Sequence, residues 1–218
     1  MNLQNIPSDE ETRACFIPEA GNVMIDADYS SQEQIVLANF SKEERLLNFY
    51  KKGFKDMHSY VAFLMYPEIR KIALEDLTPE SLYYIPLEHK EKRKLAKNAG
   101  FAINYGGNGS TIAKNCNISQ KDGEFVYQSY FEAFPGLKNY FDLVANKAYY
   151  YGYVQFNPIT KRKFFFNKEE NDYFFLKDMV EDEFFWSTTA NPREVLKKYN
   201  KAKNDIQRLA QNYPIQGE

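Results

Sequence analysis

The sequence is poor in the residues that build disulfide frameworks, zinc sites and membrane spans. Its 218 residues include two cysteines, two histidines and one tryptophan. Cys15 and Cys116 lie far apart without metal-type spacing, so we expect reduced, partly buried thiols. No apolar run approaches the length of a membrane span, and the first residues lack a basic-then-apolar signal. We therefore expect no membrane contact and a cytoplasmic location, or the host cytoplasm for a viral protein.

The chain also lacks an excess of either charge, since its formal net charge is −2. This excludes a protein that is basic throughout, although cations cluster at residues 90–97, 161–163 and 197–203. Such clusters are usually solvated surfaces, but they also allow a local basic channel. The 17 tyrosines and 18 phenylalanines supply enough apolar surface for a substantial core, and no repeat or low-complexity segment is present.

Residues 90–107 combine charge, aromatic rings and helical spacing. Arg93, Lys97, Phe101 and Tyr105 follow at i+4 steps, which predicts one stripe of two cations and two rings along a helix. Small apolar residues occupy the opposite arc and predict packing against the rest of the protein: Leu95, Ala99, Ala102 and Ile103. Cations suit phosphates and rings suit a base, so the stripe indicates a nucleoside triphosphate site. The alternative is an amphipathic surface helix with a solvated cationic face.

Glycines give this helix its predicted end and one unusual interior position. Gly106 and Gly107 provide the common stop signal. Gly100 in mid-helix costs about 1 kcal/mol relative to alanine, which suggests that something approaches closely there.

Residues 23–29 are predicted to form a strand that ends in acidic side chains. Asp26 and Asp28 alternate onto one face of this strand and could share a cation. The alternative is a strand-to-helix turn in which Asp or Ser caps the next helix. The pattern also predicts a short strand at 13–17 and a hairpin from Gly152. Helices are expected from Ser31 to Leu47, at 122–151 and at 204–215, and a further helix is expected to start at Gly109 with Ser or Thr as its cap.

Four motifs, in this order, resemble the family A DNA polymerases of the bacterial polymerase I type. They are Asn2-Leu3-Gln4-Asn5-Ile6-Pro7, Asp28-Tyr29-Ser30, the R-x-x-x-K-x-x-x-F-x-x-x-Y-G stripe of residues 93–106, and Pro214-Ile215-Gln216-Gly217. The resemblance implies an α+β fold of the right-hand polymerase class. It would comprise a partial palm with short antiparallel strands and mostly helical fingers.

The resemblance assigns the metal and nucleotide chemistry to specific residues. Asp28 would bind two catalytic Mg²⁺ ions, with the Tyr29 backbone carbonyl as a further ligand. Asp26 stands where the family has a smaller residue and is a secondary candidate. Glu33 matches the residue that excludes a ribose 2′-hydroxyl, which favours dNTPs, and His58 would contact the phosphates.

The stripe and the final helix supply the remaining site residues under the same resemblance. Arg93 and Lys97 would clamp the triphosphate, with Lys97 also stabilising the pyrophosphate. Phe101 would stack near the sugar and base, and Tyr105 would occupy the template-base position and brace Glu33. The residues expected to contact the DNA primer–template are Asn5, Arg208, Asn212 and Gln216.

The resemblance also divides the chain into three expected segments. Residues 1–47 would be palm, 48–150 fingers, and 151–218 a hairpin, an insertion and a helix returning to the palm. The insertion, at 164–203, is expected to hold its own small aromatic cluster, and its acidic residues to form a solvated surface.

The sequence departs from a complete polymerase in a respect that bears directly on catalysis. The family's His-Asp-Glu motif, which supplies the second metal-binding aspartate, occurs nowhere in these residues. We expect negligible polymerisation by the isolated chain and a partner in the remainder of the polymerase. Two alternatives remain: a non-catalytic remnant that binds nucleic acid or nucleotide, and a relative of the single-subunit RNA polymerases. Glu33 argues against the second.

Overall fold

The computed structural model describes residues 9–25, 27, 31–155 and 161–216, and for Gln216 the backbone alone. The chain divides into two compact units, residues 1–32 and 33–218. Twelve α-helices, two short 3₁₀ helices (Pro67–Ile69 and Glu80–Leu82) and two strands lie in the described part, which confirms a mostly helical fold with a small antiparallel sheet. The helices are α1 Glu10–Ala14, α2 Gln32–Ser41, α3 Glu44–Lys51, α4 Met57–Met65, α5 Ile85–Glu88, α6 Lys90–Asn104, α7 Gly109–Cys116, α8 Gln120–Ala133, α9 Pro135–Tyr151, α10 Asn167–Val180, α11 Phe185–Thr188 and α12 Pro192–Gln216, and the strands are β1 Tyr153–Gln155 and β2 Lys163–Phe165.

The first unit contradicts both strand predictions. Arg13 lies in the short helix α1, because the Asp9 side chain accepts a hydrogen bond from the Thr12 amide and caps the helix. Residues 23–25 form no strand, and Val23 and Ile25 are more than 80% exposed. A strand is stabilised by the partner with which it pairs, and the described part of this unit contains none. Asp26 lies outside the described residues.

The second unit begins with α2 and α3, which the sequence pattern predicted as helical. They are separate because Lys42 takes a left-handed conformation (φ 55°) between them. Glu43 then caps α3 through the Arg45 amide and also accepts a hydrogen bond from the Gly136 amide at the start of α9. This buried carboxylate therefore ties two helices that are 93 residues apart in sequence.

A large first core forms around α4. Nearly every residue of this helix is buried, and Ala62 and Phe63 have no exposed surface. Residues from α2, α3 and α6–α9 complete this core, together with Ile215. Such an all-round apolar helix is stable only inside a protein, so the other helices pack around it.

Helices α7 and α8 cross at two glycines. A Cβ built on Gly123 would lie 2.3 Å from the Gly109 carbonyl oxygen, and one built on Gly109 would lie 2.8 Å from the Glu124 Cα. Asn108, rather than the predicted Ser or Thr, caps α7 by accepting from the Thr111 amide. The predicted helix at 122–151 is two helices, because Pro135 disfavours a helical conformation at Phe134.

A smaller second core contains the β1–β2 hairpin and the long helix α12. Its buried residues include Val154, Phe166, Tyr173 and Ile206. The Tyr173 ring stacks between those of Tyr149 in α9 and Tyr199 in α12, at centroid distances of 5.1 and 5.7 Å. The aromatic residues of the 164–203 segment are thus shared with the flanking helices and do not form the separate cluster that was expected.

Two sequence expectations concerning single residues also need correction. Cys15 is exposed, whereas Cys116 is half-buried as expected, and both thiols are free. A Cβ on Gly100 would lie 3.5 Å from the Tyr130 ring, which is ordinary van der Waals contact. The mid-helix glycine therefore does not mark a close approach.

Among the described residues, no helix combines the length and apolarity needed to span a membrane.

Candidate nucleotide site along helix α6

Helix α6 presents the predicted stripe on one side and packs its other side into the first core. Ala96, Ala99 and Ile103 are at most 2% exposed, whereas Phe101 and Tyr105 are about two-fifths exposed. Ala102 is also buried and Leu95 half-buried, so the predicted apolar arc is confirmed. The helix ends as predicted: Gly106 takes a φ of +75°, and the Gly106 and Gly107 amides donate to the carbonyls of Ile103 and Ala102.

Arg93 is fixed by the N-terminus of α4. Its Nη2 donates to Asp56 Oδ1 at 3.0 Å, and its Nε donates to Asp56 Oδ2 at 3.1 Å and to Ser59 Oγ at 3.2 Å. The same Asp56 caps α4 through the Ser59 amide. A two-point guanidinium–carboxylate contact orients the planar group more firmly than a single ion pair does. The Nη1 atom carries further N–H donors for a ligand.

The Asp56 carboxyl stays ionised in this arrangement. Partial burial acts to raise its pKa, but the hydrogen bonds from Arg93 and Ser59 outweigh that effect and hold the pKa below its ordinary value. The sequence prediction did not include Asp56 or Ser59 among the site residues. The signal for Asp56 was present, because Asp directly before an apolar helical run is a typical N-cap.

His58 lies beside the stripe, and its predicted contact with the phosphates stays a prediction. Its ring centroid is 6.1 Å from that of Phe101. Burial lowers the pKa of His58, and the charges of Arg93 and Lys97 lower it further, against the opposing effect of Asp56. A neutral imidazole therefore lies next to the two cations, where it can donate a single N–H to an anion.

Lys97 differs from Arg93 in being exposed. Its Nζ lies 6.0 Å from the centroid of the Phe101 ring, and no salt bridge to it is found in the described part of the chain. An exposed ammonium on a flexible side chain can follow a phosphate group. One cation of the stripe is thus held by hydrogen bonds, and the next is exposed.

Tyr105 connects the end of α6 to α2. Its hydroxyl donates to the two carboxylate oxygens of Glu33 at 3.3 and 3.4 Å. This contact between residues 72 positions apart was expected from the family resemblance, and the structure contains it. The tyrosine ring and the carboxylate together border the ring end of the stripe.

Helix α12 approaches the turn that follows α6. A Cβ on Gly106 would lie 2.9 Å from the Arg208 Cα, so only glycine allows this contact. Arg208 is exposed and pairs with Asp205 at 3.3 Å, while Asn212, one turn later, is half-buried. Arg208, one of the predicted DNA-contacting residues of this helix, therefore lies near the end of the stripe.

A polar cavity of about 430 Å³ lies beside this contact, between the α6–α7 turn, α9 and α12. Lys138, Asp142 and Arg208 are among its lining residues. So is Gln211, which is 3% exposed and whose Oε1 has no hydrogen-bond partner among the described residues. Sequence reasoning did not identify Gln211, because its neighbours in the helix gave no local signal.

The predicted metal site cannot be built from the described residues. The predicted ligands Asp28 and Tyr29 lie outside them. The predicted DNA contact Asn5 also lies outside them, and the side chain of Gln216, another predicted DNA contact, is not described. Across the residues that are described, no group of three or more His, Cys, Asp or Glu side chains is arranged to hold a metal ion.

Comparisons with known proteins identify the family of the chain. The family model described as DNA polymerase family A matches residues 1–218. The chain is 33% identical over 220 residues to a DNA polymerase I of Caldicellulosiruptor bescii, covering 99% of this chain and 21% of that protein. It is 35% identical over 159 residues to a DNA polymerase I of Streptococcus pneumoniae, covering 71% of this chain and 16% of that protein. The chain thus spans about a fifth of the length of these relatives or less.

A solved structure resembles the fold over nearly the whole chain. It is described as the POL domain of Pol1 from M. smegmatis in complex with a DNA primer-template and dNTP. The TM-score is 0.62 at 23% identity, and the match covers 99% of this chain and 31% of that one. At this level of identity the likeness concerns the fold.

Proposed function

Because this chain belongs to DNA polymerase family A, we propose that it provides the nucleotide-binding part of a template-directed DNA polymerase. The observation that carries the proposal is the order of groups along α6. Arg93, Lys97 and Phe101 line one side of the helix, and Tyr105 contacts Glu33 at its end. The cations match a triphosphate and the rings match a sugar and base.

Each residue has a separate role in this proposal. Arg93, oriented by Asp56, and the exposed Lys97 bind the phosphates of the dNTP, and Lys97 also stabilises the charge of the departing pyrophosphate. His58 donates one N–H to a phosphate oxygen. Glu33, held by Tyr105, occupies the space that a ribose 2′-hydroxyl would need, and so selects deoxynucleotides.

The metal and the DNA complete the proposed site. Asp28, with the Tyr29 carbonyl, would hold Mg²⁺, which neutralises the oxygens of the transferred phosphoryl group when bound. Asn5, Arg208, Asn212 and Gln216 would contact the primer–template in its minor groove, where acceptors occur on every base pair. Residues 1–47 would belong to the palm, 48–150 to the fingers, and 151–218 to the segment returning to the palm.

The direct test is dNTP binding by the 218-residue chain, measured by equilibrium dialysis of radiolabelled dATP with MgCl₂. We expect Lys97→Ala to weaken binding roughly tenfold or more, since a charge-assisted hydrogen bond contributes about 1.5–3 kcal/mol. Lys94→Ala is the matched control, because Lys94 is also exposed on α6 but borders a different cavity on another side of the helix. Equal effects of the two substitutions would contradict the proposal.

Catalysis is tested separately by primer extension. The isolated chain should extend primers negligibly, because it contains no His-Asp-Glu motif. Mixed with the other polymerase segments of a relative, the chain should extend primers, and Asp28→Ala should abolish extension. If Asp28→Ala were neutral in the active mixture, the chain would be a non-catalytic binding segment. Glu33→Ala should raise the use of rNTPs relative to dNTPs.

A further inference from the structure

Four aromatic rings form a continuous exposed row where α9 meets the hairpin. This ring row consists of Tyr150, Tyr151, Tyr153 and Phe165. Successive ring centroids are 4.7, 5.7 and 5.4 Å apart. Tyr150 is 78% exposed, Tyr151 56% and Phe165 54%, while Tyr153 is half-buried. Contiguous exposed apolar surface of this kind commonly marks an interaction site.

The local backbone explains why these rings face outward together. Gly152, at φ +68°, ends α9 in a left-handed turn and sends the chain into β1. Tyr153 pairs with Phe165 across the two strands, and the neighbouring Val154–Phe164 pair points to the other face, where Val154 is buried. Alternation along the strands thus divides the aromatic residues between the second core and the outer surface.

Cations accompany the row. Lys163 Nζ lies 4.0 Å from the centroid of the Tyr153 ring, a cation–π distance. Lys161 and Arg162 precede it in the chain and are exposed, as is Lys147 one turn before Tyr151 on α9. An acid also reaches this region, since the half-buried Glu170 carboxylate lies against Gly152. These four cationic residues outnumber this single carboxylate.

This combination favours one kind of occupant. Several exposed rings in a row, with positive charges at their edge, match single-stranded nucleic acid, whose bases stack on ring faces while its phosphates pair with cations. A purely apolar protein partner would not use the charges. The row is built on the second core, whereas the α6 stripe is built on the first, so it is a site additional to the nucleotide site.

We propose that the ring row binds single-stranded DNA through base stacking on Tyr150, Tyr151, Tyr153 and Phe165 and through phosphate contacts to Lys163 and its neighbours. The choice of DNA rather than RNA rests on the proposed polymerase function, whereas the stacking surface itself does not. An unpaired stretch of template is the single strand that such a protein meets.

The test is fluorescence anisotropy of a labelled dT12 oligonucleotide with the 218-residue chain, without primer or dNTP. Tyr151→Ala and Phe165→Ala should each weaken binding at least about fivefold, the lower range for loss of one stacked base. Phe175→Ala and Trp186→Ala remove exposed rings outside the row and are the matched controls, expected to change affinity less than twofold. Thermal unfolding verifies that each variant is folded.

Salt dependence and a conservative variant separate stacking from charge. Lys163→Ala should reduce the slope of log affinity against log salt concentration by about 0.7, the contribution of one phosphate contact on a single strand. Tyr151→Phe keeps the ring and should keep the affinity. If only Lys163→Ala weakened binding, the surface would be merely cationic and the stacking proposal would be overturned.

Other outcomes would overturn the proposal without affecting the nucleotide site. One is that the chain does not bind dT12 although its Lys97-dependent binding of dATP is intact. Another is that the Phe175 and Trp186 controls lose as much affinity for dT12 as the ring variants do. A third is that sedimentation without DNA shows self-association of the chain that only the ring variants lose. The last result would show that the row is covered by a second copy of the chain. Lys97→Ala should leave dT12 binding unchanged.

Discussion

The two cores of the second unit differ in size and in the way that they are built. Among the described residues, the first core contains 29 buried side chains and the second contains seven. The first encloses the almost entirely buried helix α4, whereas the second depends on rings stacked between α9, α10 and α12. Because burial of apolar area is the main stabilising term, the first core should determine whether the unit folds.

This difference separates the two candidate surfaces. The α6 stripe is fixed to the first core through Ala96, Ala99 and Ile103, whereas the ring row is fixed to the second through Val154. Local unfolding begins where few apolar contacts hold an element. The nucleotide site should therefore be the more rigid of the two surfaces, and the ring row the more easily detached.

The largest expected effect comes from breaking the first core. Phe63 is fully buried, so Phe63→Ala should destabilise the second unit by about 3–5 kcal/mol. Tyr173→Ala in the second core should instead expose the amides of α10 and the hairpin to hydrogen exchange while α4 keeps its protection. Urea unfolding with hydrogen exchange measures both. Uniform loss of protection in Tyr173→Ala would show that the two cores are one cooperative unit. If Phe63→Ala does not fold, the milder variant Phe63→Leu replaces it in the same measurements.

The next effect concerns how closely the first core is packed. Gly123→Ala should cost about 1–3 kcal/mol, because its Cβ would lie 2.3 Å from the Gly109 carbonyl oxygen and 2.8 Å from the Ala113 Cβ. Gly100→Ala is the control, since 3.5 Å to the Tyr130 ring leaves room. There we expect stabilisation of up to about 1 kcal/mol from helix propensity. The midpoint of thermal unfolding should fall in Gly123→Ala and rise in Gly100→Ala.

Removal of a tyrosine hydroxyl should have opposite effects in the two cores. In the first, the buried Tyr66 hydroxyl has no hydrogen-bond partner among the described residues, and burial raises the pKa of Tyr66 to about 12. In the second, the Tyr149 hydroxyl donates to the Lys203 carbonyl at 3.2 Å. Tyr66→Phe should be neutral or stabilising by about 1 kcal/mol, and Tyr149→Phe destabilising by about 1 kcal/mol. Losses of equal size in urea unfolding would contradict this comparison.

The smallest expected effect is on the pH dependence of the first core. The folded pKa of His58 is lowered from 6.5, so the unfolded chain binds the proton first. Stability should fall as the pH drops from 6.5 towards the folded pKa, and His58→Gln should flatten that part of the profile. The folded pKa of Asp56 is also lowered, so its contribution is complete above 3.8 and is lost as the pH falls through the folded value. The measurement is the urea midpoint of unfolding of the original chain and of His58→Gln between pH 7.5 and 3. Identical pH profiles for the two proteins would contradict this explanation.

Local signals explain which elements were predictable. Helix α6 has an i+4 pattern and a Gly106-Gly107 stop within its own residues, so its bounds and faces follow from the sequence. The strand expected at 23–29 failed over its described part because strand formation depends on a partner that the residues themselves do not specify. The break at Phe134 was readable from Pro135, although the aromatic pattern on both sides obscured it.

The site residues divide in the same way. The motif spacing identified Arg93, Lys97, Phe101 and Tyr105 as one stripe, and the family resemblance added Glu33. Asp56 and Gln211 were missed because their importance comes from partners or space supplied by distant segments.

The sequence alone determined helix α6, its Gly106-Gly107 stop and the order of two cations and two rings along it, because these depend on neighbours within one or two turns. The tertiary structure decided that Asp56 holds Arg93, that Arg208 lies against Gly106, and that four rings meet at the hairpin. Those contacts join residues that are separated along the chain, and only the packing of two unequal cores brings them together.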